Sequence, residues 1–293
     1  MISNIYLLWA RLLFKKERKP VLEDLAAWRK RHPIRDTDSD KMVTYLVPIF
    51  ERKRAPNWSV VQTNLTRTIS ALRRQSDPRW RMIVCSQDCP DQIAFDDHVQ
   101  FLKYPASHNG SPDKVQKLRF MARYLAKTEK RDGYAFFLDG DDIPHPDLTR
   151  FILEDDNGHG YYLPKGYCFD AGERCLLRPL EEEGDTHTFA WLCGSSHAVR
   201  FDTRFDRSQT VHVSLRGDHM QARQNLKSRV GLVLKPVPFP AMIYIVNHGS
   251  SDQDILAESD GRKRAHAGLK EVKESEIDDV LGSFGTSVSE LSR

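Results

Sequence analysis

Several absences narrow the field before any motif is considered. Neither glycine fingerprint, G-x-x-x-x-G-K-[ST] or G-x-G-x-x-G, occurs in the 293 residues, which disfavours a P-loop NTPase or a Rossmann dehydrogenase. No apolar run is long enough to span a bilayer; Ile2 to Phe14 is short and holds Arg11. That run is no secretion signal either, because its basic residues, Lys15 to Lys19, follow it and no small residues close it. Cysteine is scarce and odd in number, five in all, so a full disulfide framework is not expected. Cys85 and Cys89 are the nearest pair, and no Cys/His partner pair completes a zinc site. These features fit a reduced, cytosolic setting. The net charge of +3 is spread along the chain rather than gathered in a basic stripe, which argues against a dedicated nucleic-acid binder. Internal repeats and low-complexity tracts are also missing.

What is there reads as an ordinary globular α/β chain, 40% apolar and 29% charged, long enough for one large domain or two small ones. Residues 1–40 look like a helical extension ending in the polar run Arg35 to Asp40. Its first helix is either interfacial, with Trp9 and Phe14 at the headgroups and residues 2–19 peripheral to the membrane, or packed on the protein's own core. The main domain is expected over 41–250, followed by a polar tail over 251–293 with a short helix at Glu274–Leu281.

Within the domain, Met42 to Phe50 is an apolar, β-branched run of the kind a buried parallel strand requires. Val61, Leu65, Thr68, Ile69 and Leu72 then fall on one helical face. Strands are expected at Trp80–Cys85, Val99–Leu102 and Tyr134–Leu138. Ser111-Pro112-Asp113 is read as the start of a helix, with Ser111 as its cap, that buries Val115, Leu118, Ala122 and Leu125. Strand–helix alternation of this kind predicts a mostly parallel central sheet flanked by helices, with ligands at the carboxyl ends of its strands. Beyond about residue 155 the pattern loosens, with short strands expected at Tyr161–Leu163, Phe189–Cys193 and Met242–Val246 and a helix near Asp218–Ser228.

The strongest chemical signal is Asp139-Gly140-Asp141-Asp142 directly after the apolar strand Tyr134 to Leu138. An isolated Asp-Gly-Asp is most often a solvated turn. At the end of a buried strand, the same carboxylates project into the rim crevice, and Gly140 allows a tight turn and leaves room for a ligand. Clustered carboxylates repel each other unless a cation or donors offset them. Mg²⁺ or Mn²⁺ would do so while binding a diphosphate.

Val43 to Phe151 resembles the nucleotide-sugar half of GT-A fold glycosyltransferases, particularly family 2. The resemblance rests on Val47-Pro48-Ile49-Phe50-Glu51-Arg52, on Ala71-Leu72-Arg73-Arg74-Gln75 before the second strand, and on Phe137 to Ile143 as the D-x-D-D element. Gly160-Tyr161-Tyr162, Phe239-Pro240 and Tyr244 to Gly249 extend it toward a bacterial branch. Family 2 usually has Asp-Asp-Gly-Ser after its second strand, where this chain has Ser86 to Asp91. The resemblance implies a metal-dependent, inverting enzyme that transfers a sugar from a nucleotide-sugar onto a glycan or lipid-linked acceptor in polysaccharide biosynthesis.

By that resemblance the donor would meet Pro48, Phe50, Arg52, Asp88 and Asp139. Asp141 and Asp142 would hold the metal. His248, after a predicted strand, is either a further metal ligand or a histidine hydrogen-bonded at a strand end. Lys114 and Lys117 lie where a helix N-terminus would face phosphates, or else Lys117 makes an ordinary surface pair with Asp113. Asp218 is the candidate base, equally readable as a helix cap, with His219 as fallback. Trp191 and Ser195 are candidates for the acceptor pocket, although tryptophan is more commonly a core residue. Two other readings compete: a sugar-phosphate nucleotidyltransferase, disfavoured because Glu51 to Pro56 holds no glycine, and a non-catalytic GT-A-like binding protein.

Overall fold

The computed structural model describes residues 41–105, 113–129, 131–179, 188–201, 219–250 and 268–292. The N-terminal extension, its proposed membrane contact, Ser111 and Asp218 lie outside the described residues. Among the described residues no helix is long and apolar enough to cross a membrane.

The central sheet has seven strands. They are β1 (Met42–Pro48), β2 (Trp80–Ser86), β3 (Val99–Lys103), β4 (Gly133–Phe137), β6 (Gly160–Tyr162), β9 (His197–Phe201) and β10 (Lys235–Pro236), in the spatial order β10-β6-β9-β4-β1-β2-β3. Strands β4, β1, β2 and β3 run parallel, whereas β9 is antiparallel to both of its neighbours. Side chains alternate across a strand, and both faces of this sheet are covered. Val43, Tyr45 and Val47 of β1 enter one core with Leu65, Ile69 and Leu72 of helix α1 (Trp58–Arg73). Leu46 enters the other core with Leu118, Met121 and Leu125 of α2 (Lys114–Thr128). Burial on both faces is why β1, β2 and β4 read as near-continuous apolar runs, with Thr44 of β1 and Arg81 of β2 bonded to each other.

A second sheet of five strands leans on the first, in the order β12-β8-β7-β11-β5. It comprises β5 (Ile143–Pro144), β7 (Tyr167–Asp170), β8 (Cys175–Pro179), β11 (Met242–Val246) and β12 (Leu269–Glu271). Strand β5 directly follows the acidic turn and pairs with β11, joining that turn to the segment that carries His248.

Four expectations change. Phe189–Leu192 is a short helix, α4, rather than a strand, with Phe189 and Ala190 buried and Trp191 turned outward; a four-residue apolar run has no period by which to tell the two apart. Val115 is 53% exposed, and Lys117 and Met121 are buried instead. Asp113, not Ser111, occupies the cap position of α2, and it makes no side-chain capping bond. The segment after 250 is more than a peripheral tail. Strand β12 pairs with β8, and α6 (Glu274–Ser283) and α7 (Val288–Leu291) bury Leu281, Phe284 and Leu291 against Ile143, Phe169 and Ile245. The remaining described helices are α3 (Leu148–Asp155) and α5 (Ala222–Val230).

Candidate functional site

Parallel strands ending side by side leave a crevice beyond their carboxyl ends. Here the ends of β1 and β4, the start of α2 and the turn after β11 enclose one cleft. Pro48, Phe50, Lys114, Lys117, Asp139, Asp141 and His248 all line it.

The acidic turn is seated from below. The Leu138 amide continues the ladder to the Leu46 carbonyl at 3.2 Å, and the Asp139 amide donates to Ser195 Oγ at 2.7 Å. A Cβ on Gly140 would lie 3.0 Å from Ile49 Cγ2 and 3.5 Å from Val47 Cγ1. Glycine therefore lets the turn settle onto β1, and does not only leave space for a ligand. Gly194 plays a matching part from the opposite loop, where a Cβ would stand 3.0 Å from Asp139 Oδ2.

Three aspartates in sequence have three different environments. Asp139 is gripped by Lys114 Nζ at 2.7 Å from Oδ1 and 2.8 Å from Oδ2. Asp141 meets His248 Nε2 at 2.9 Å through Oδ2. Asp142 points away from the cleft and is fully buried. It accepts from the Ile245 amide at 3.4 Å and from the Cys193 thiol at 3.5 Å. Burial above all, then the charges of Asp141 and Asp139, push the Asp142 carboxyl well above its ordinary range. A fully buried carboxyl that is not part of the cleft lining is not placed to hold a metal in the cleft, so the expectation for Asp142 is corrected.

A prediction follows from that burial. The native state keeps the Asp142 proton to higher pH than the unfolded chain, in which the group titrates near 3.8. Its contribution to stability is therefore lost as pH rises from that value through the native-state one. Across that window the wild type should lose about 1.4 kcal/mol per pH unit relative to Asp142→Asn. Urea midpoints of both proteins from about pH 4 to 7 measure this; parallel profiles would contradict a buried, protonated carboxyl.

His248 reaches the cleft through a strained turn after β11. Asn247 sits at φ 57°, with its Nδ2 donating to Asp170 Oδ2 at 2.6 Å, and Gly249 follows at φ 80°. On the other side of the ring, Asn64 Nδ2 lies 3.0 Å from His248 Nδ1. Tyr244 lines the same cleft, and burial, then the neighbouring Cys193 and carboxylates, hold its hydroxyl well above the ordinary phenol range.

Lys117 does pair with Asp113, at 3.0 Å, but not on the surface. It is 1% exposed, and its Nζ donates to the Ile49 carbonyl at 2.7 Å, fastening α2 to the end of β1. Ser195 is fully buried beneath the acidic turn, so it supports that turn rather than lining an acceptor pocket. Arg52 and Asp88 are joined by a 2.8 Å bond from the Arg52 amide to Asp88 Oδ2, outside the cleft lining. Trp191 is 45% exposed, and its carbonyl meets His219 Nε2 at 2.9 Å, also outside the lining.

Sequence reasoning missed Asn64, Tyr244 and Ser250, which line the cleft as well. For Asn64 a signal was available: three residues after Val61, it is a polar side chain within the buried stripe of α1.

Asp141 and His248 offer one oxygen and one nitrogen donor side by side. Among the described residues no group of three or more His, Cys, Asp or Glu side chains is arranged to hold a metal. The pair fits a cation that takes its other ligands from phosphate oxygens and water, as Mg²⁺ commonly does.

The chain matches no protein-family model and no curated protein. Among solved structures it is similar to S. aureus TarS 1-349, with a TM-score of 0.37 and 11% identity over 83% of this chain and 70% of that one. A longer S. aureus TarS structure gives a TM-score of 0.38 at 10% identity over 83% of this chain, which spans about half (48%) of that structure. A glycosyltransferase involved in the glycosylation of the major capsid of PBCV-1 gives a TM-score of 0.40 at 8% identity, over 77% of this chain and 98% of that one.

Proposed function

We propose that the chain is a glycosyltransferase that takes a sugar from a nucleotide-sugar and passes it to a glycan or lipid-linked acceptor. The observation that carries the proposal is the convergence, at the carboxyl ends of β1 and β4, of Asp139, Asp141, His248 and Lys114 in one cleft.

In this reading Asp141 and His248 hold a Mg²⁺ or Mn²⁺ ion, which when bound offsets charge on the departing diphosphate. Lys114 exchanges its Asp139 partner for a phosphate oxygen, and the released Asp139 carboxylate accepts from hydroxyls of the ribose or sugar. Lys117 keeps the end of β1 in place beneath the donor. The acceptor hydroxyl attacks the anomeric carbon as the bond to the diphosphate breaks, with inversion, and its proton passes to a carboxylate. Asp218, outside the described residues, remains the proposed base. His219, next to it in the chain, is tied to Trp191 on the far side of the Gly194 loop.

One observation favours a second reading. Each acid of the turn already has donors within the protein: Asp139 has Lys114, Asp141 has His248, and Asp142 has the Ile245 amide and the Cys193 thiol. That would suit a cleft that binds a diphosphate through Lys114 without a metal, whether or not transfer follows.

A screen of nucleotide-sugar hydrolysis with Mn²⁺ or Mg²⁺, repeated in EDTA, separates the two. The main proposal expects hydrolysis of at least one donor and its loss in EDTA. Donor binding that EDTA leaves unchanged supports the second reading, and the absence of donor binding under every condition overturns both.

A further inference from the structure

We infer that Asn64 is a positioning residue that lets His248 move its proton from one ring nitrogen to the other, and so frees Nε2 for a cation. The inference rests on the reading of Asp141 and His248 as a metal-holding pair. It concerns a residue that neither the acidic motif nor the resemblance points to.

The geometry is a relay of three side chains. Asn64, on the inward face of α1, is 3% exposed. Its Nδ2 stands 3.0 Å from His248 Nδ1, and His248 Nε2 stands 2.9 Å from Asp141 Oδ2. An amide nitrogen only donates, so in this arrangement Nδ1 accepts and the ring proton lies on Nε2, directed at Asp141. A ring in that state has no lone pair to give a metal on the side facing the cleft.

The other end of the Asn64 amide decides whether this can change. Asn64 Oδ1 is buried and has no hydrogen-bond partner among the described residues. The amide meets the histidine ring through its Nδ2, and among the described residues no donor to Oδ1 holds it in its present orientation. Half a turn of the amide brings Oδ1 onto Nδ1, where it accepts from a proton that Nδ1 has taken up from solvent as Nε2 gave its own to solvent in the cleft. Nε2 then presents a lone pair 2.9 Å from a carboxylate oxygen. Two electron-rich atoms at that distance repel unless a cation lies against both. The amide thus serves either tautomer, and the arrival of a cation selects the one that frees Nε2. Aspartate at this position offers acceptors only and would favour the proton on Nδ1 in advance. Leucine fills similar space and serves neither tautomer.

The test uses the full chain at constant pH with Mg²⁺ alone as the probe. Long-range ¹⁵N–¹H spectra of the His248 ring, assigned by their loss in His248→Gln, report the tautomer. Calorimetry reports Mg²⁺ affinity. In the wild type the proton should lie on Nε2 without Mg²⁺ and on Nδ1 with it. Asn64→Asp should carry it on Nδ1 before Mg²⁺ is added and bind Mg²⁺ more tightly. Asn64→Leu should bind Mg²⁺ about tenfold or more weakly, the scale on which partners of metal-bound histidines act. The inference is overturned if the wild-type tautomer does not move with Mg²⁺, or if Asn64→Leu binds Mg²⁺ like the wild type. The wild-type spectra decide the matter even if Asn64→Leu fails to fold. Asp141→Asn separates the two levels. If the wild type binds no Mg²⁺, or binds it no better than Asp141→Asn, the metal reading falls and takes this inference with it. Binding that depends on Asp141 and ignores Asn64 removes this inference alone.

Discussion

Replacing Asp141 with asparagine is expected to weaken metal-dependent donor binding by about a hundredfold or more while leaving the protein folded. Partners in the outer shell of a metal site are typically worth 10- to 100-fold in affinity, so a direct charged ligand is worth at least that. A hundredfold loss is about 2.8 kcal/mol. Folding should survive because Asn Oδ1 can still accept from His248 Nε2, and Asp141 contributes a cleft-facing carboxylate rather than a core contact. The neighbouring Asp142→Asn is the informative control. Its carboxyl is buried, outside the cleft lining and bonded to Ile245 and Cys193, so the change should leave donor binding near the wild-type value. Calorimetric titration of a nucleoside diphosphate with Mn²⁺ present, then chelated, measures both variants. Equal affinities for wild type and Asp141→Asn, or a larger loss from Asp142→Asn, would exclude Asp141 as the residue that holds the cation.

Phe284→Ala is expected to cost about 3–5 kcal/mol of stability, the usual range for removing a buried aromatic. Phe284 is 1% exposed and presents its ring edge-on to His145 at 5.0 Å and to Tyr167 at 6.1 Å. It packs in one cluster with Ile143, Ile243 and Ile245. Ile143 directly follows the acidic turn, and the Ile245 amide donates to Asp142. The C-terminal helices thereby support the floor of the site from behind. A residue on a solvated tail would cost no more than about 0.5 kcal/mol. Urea unfolding distinguishes these values, and a cost in the lower range would restore the picture of a peripheral tail.

Legibility from sequence followed the range of the interactions. The strands β1, β2 and β4 and the helices α1 and α2 were readable because a two-sided core leaves near-continuous apolar runs and 3.6-residue stripes. The acidic turn was readable because a strand ending in carboxylates is a local pattern. Phe189–Leu192 was not, since four apolar residues have no period to measure. The inward role of Phe284 and Leu291 was obscured by the glycine, serine and threonine around them. Ser195 was placed wrongly, since nothing local indicates which loop lies beneath Asp139.

Residue type and spacing alone determined that this chain builds an α/β sheet with aspartates at the tip of its fourth strand, because propensity, periodicity and turn chemistry act between neighbours. Only the tertiary structure decided that those aspartates differ. Lys114 is 25 residues from Asp139, His248 is 107 from Asp141, and the Ile245 amide is 103 from Asp142. The charge state of a carboxylate depends on what stands within a few ångströms of it and on whether water reaches it. Partners that distant along the chain are set by how the strands pack.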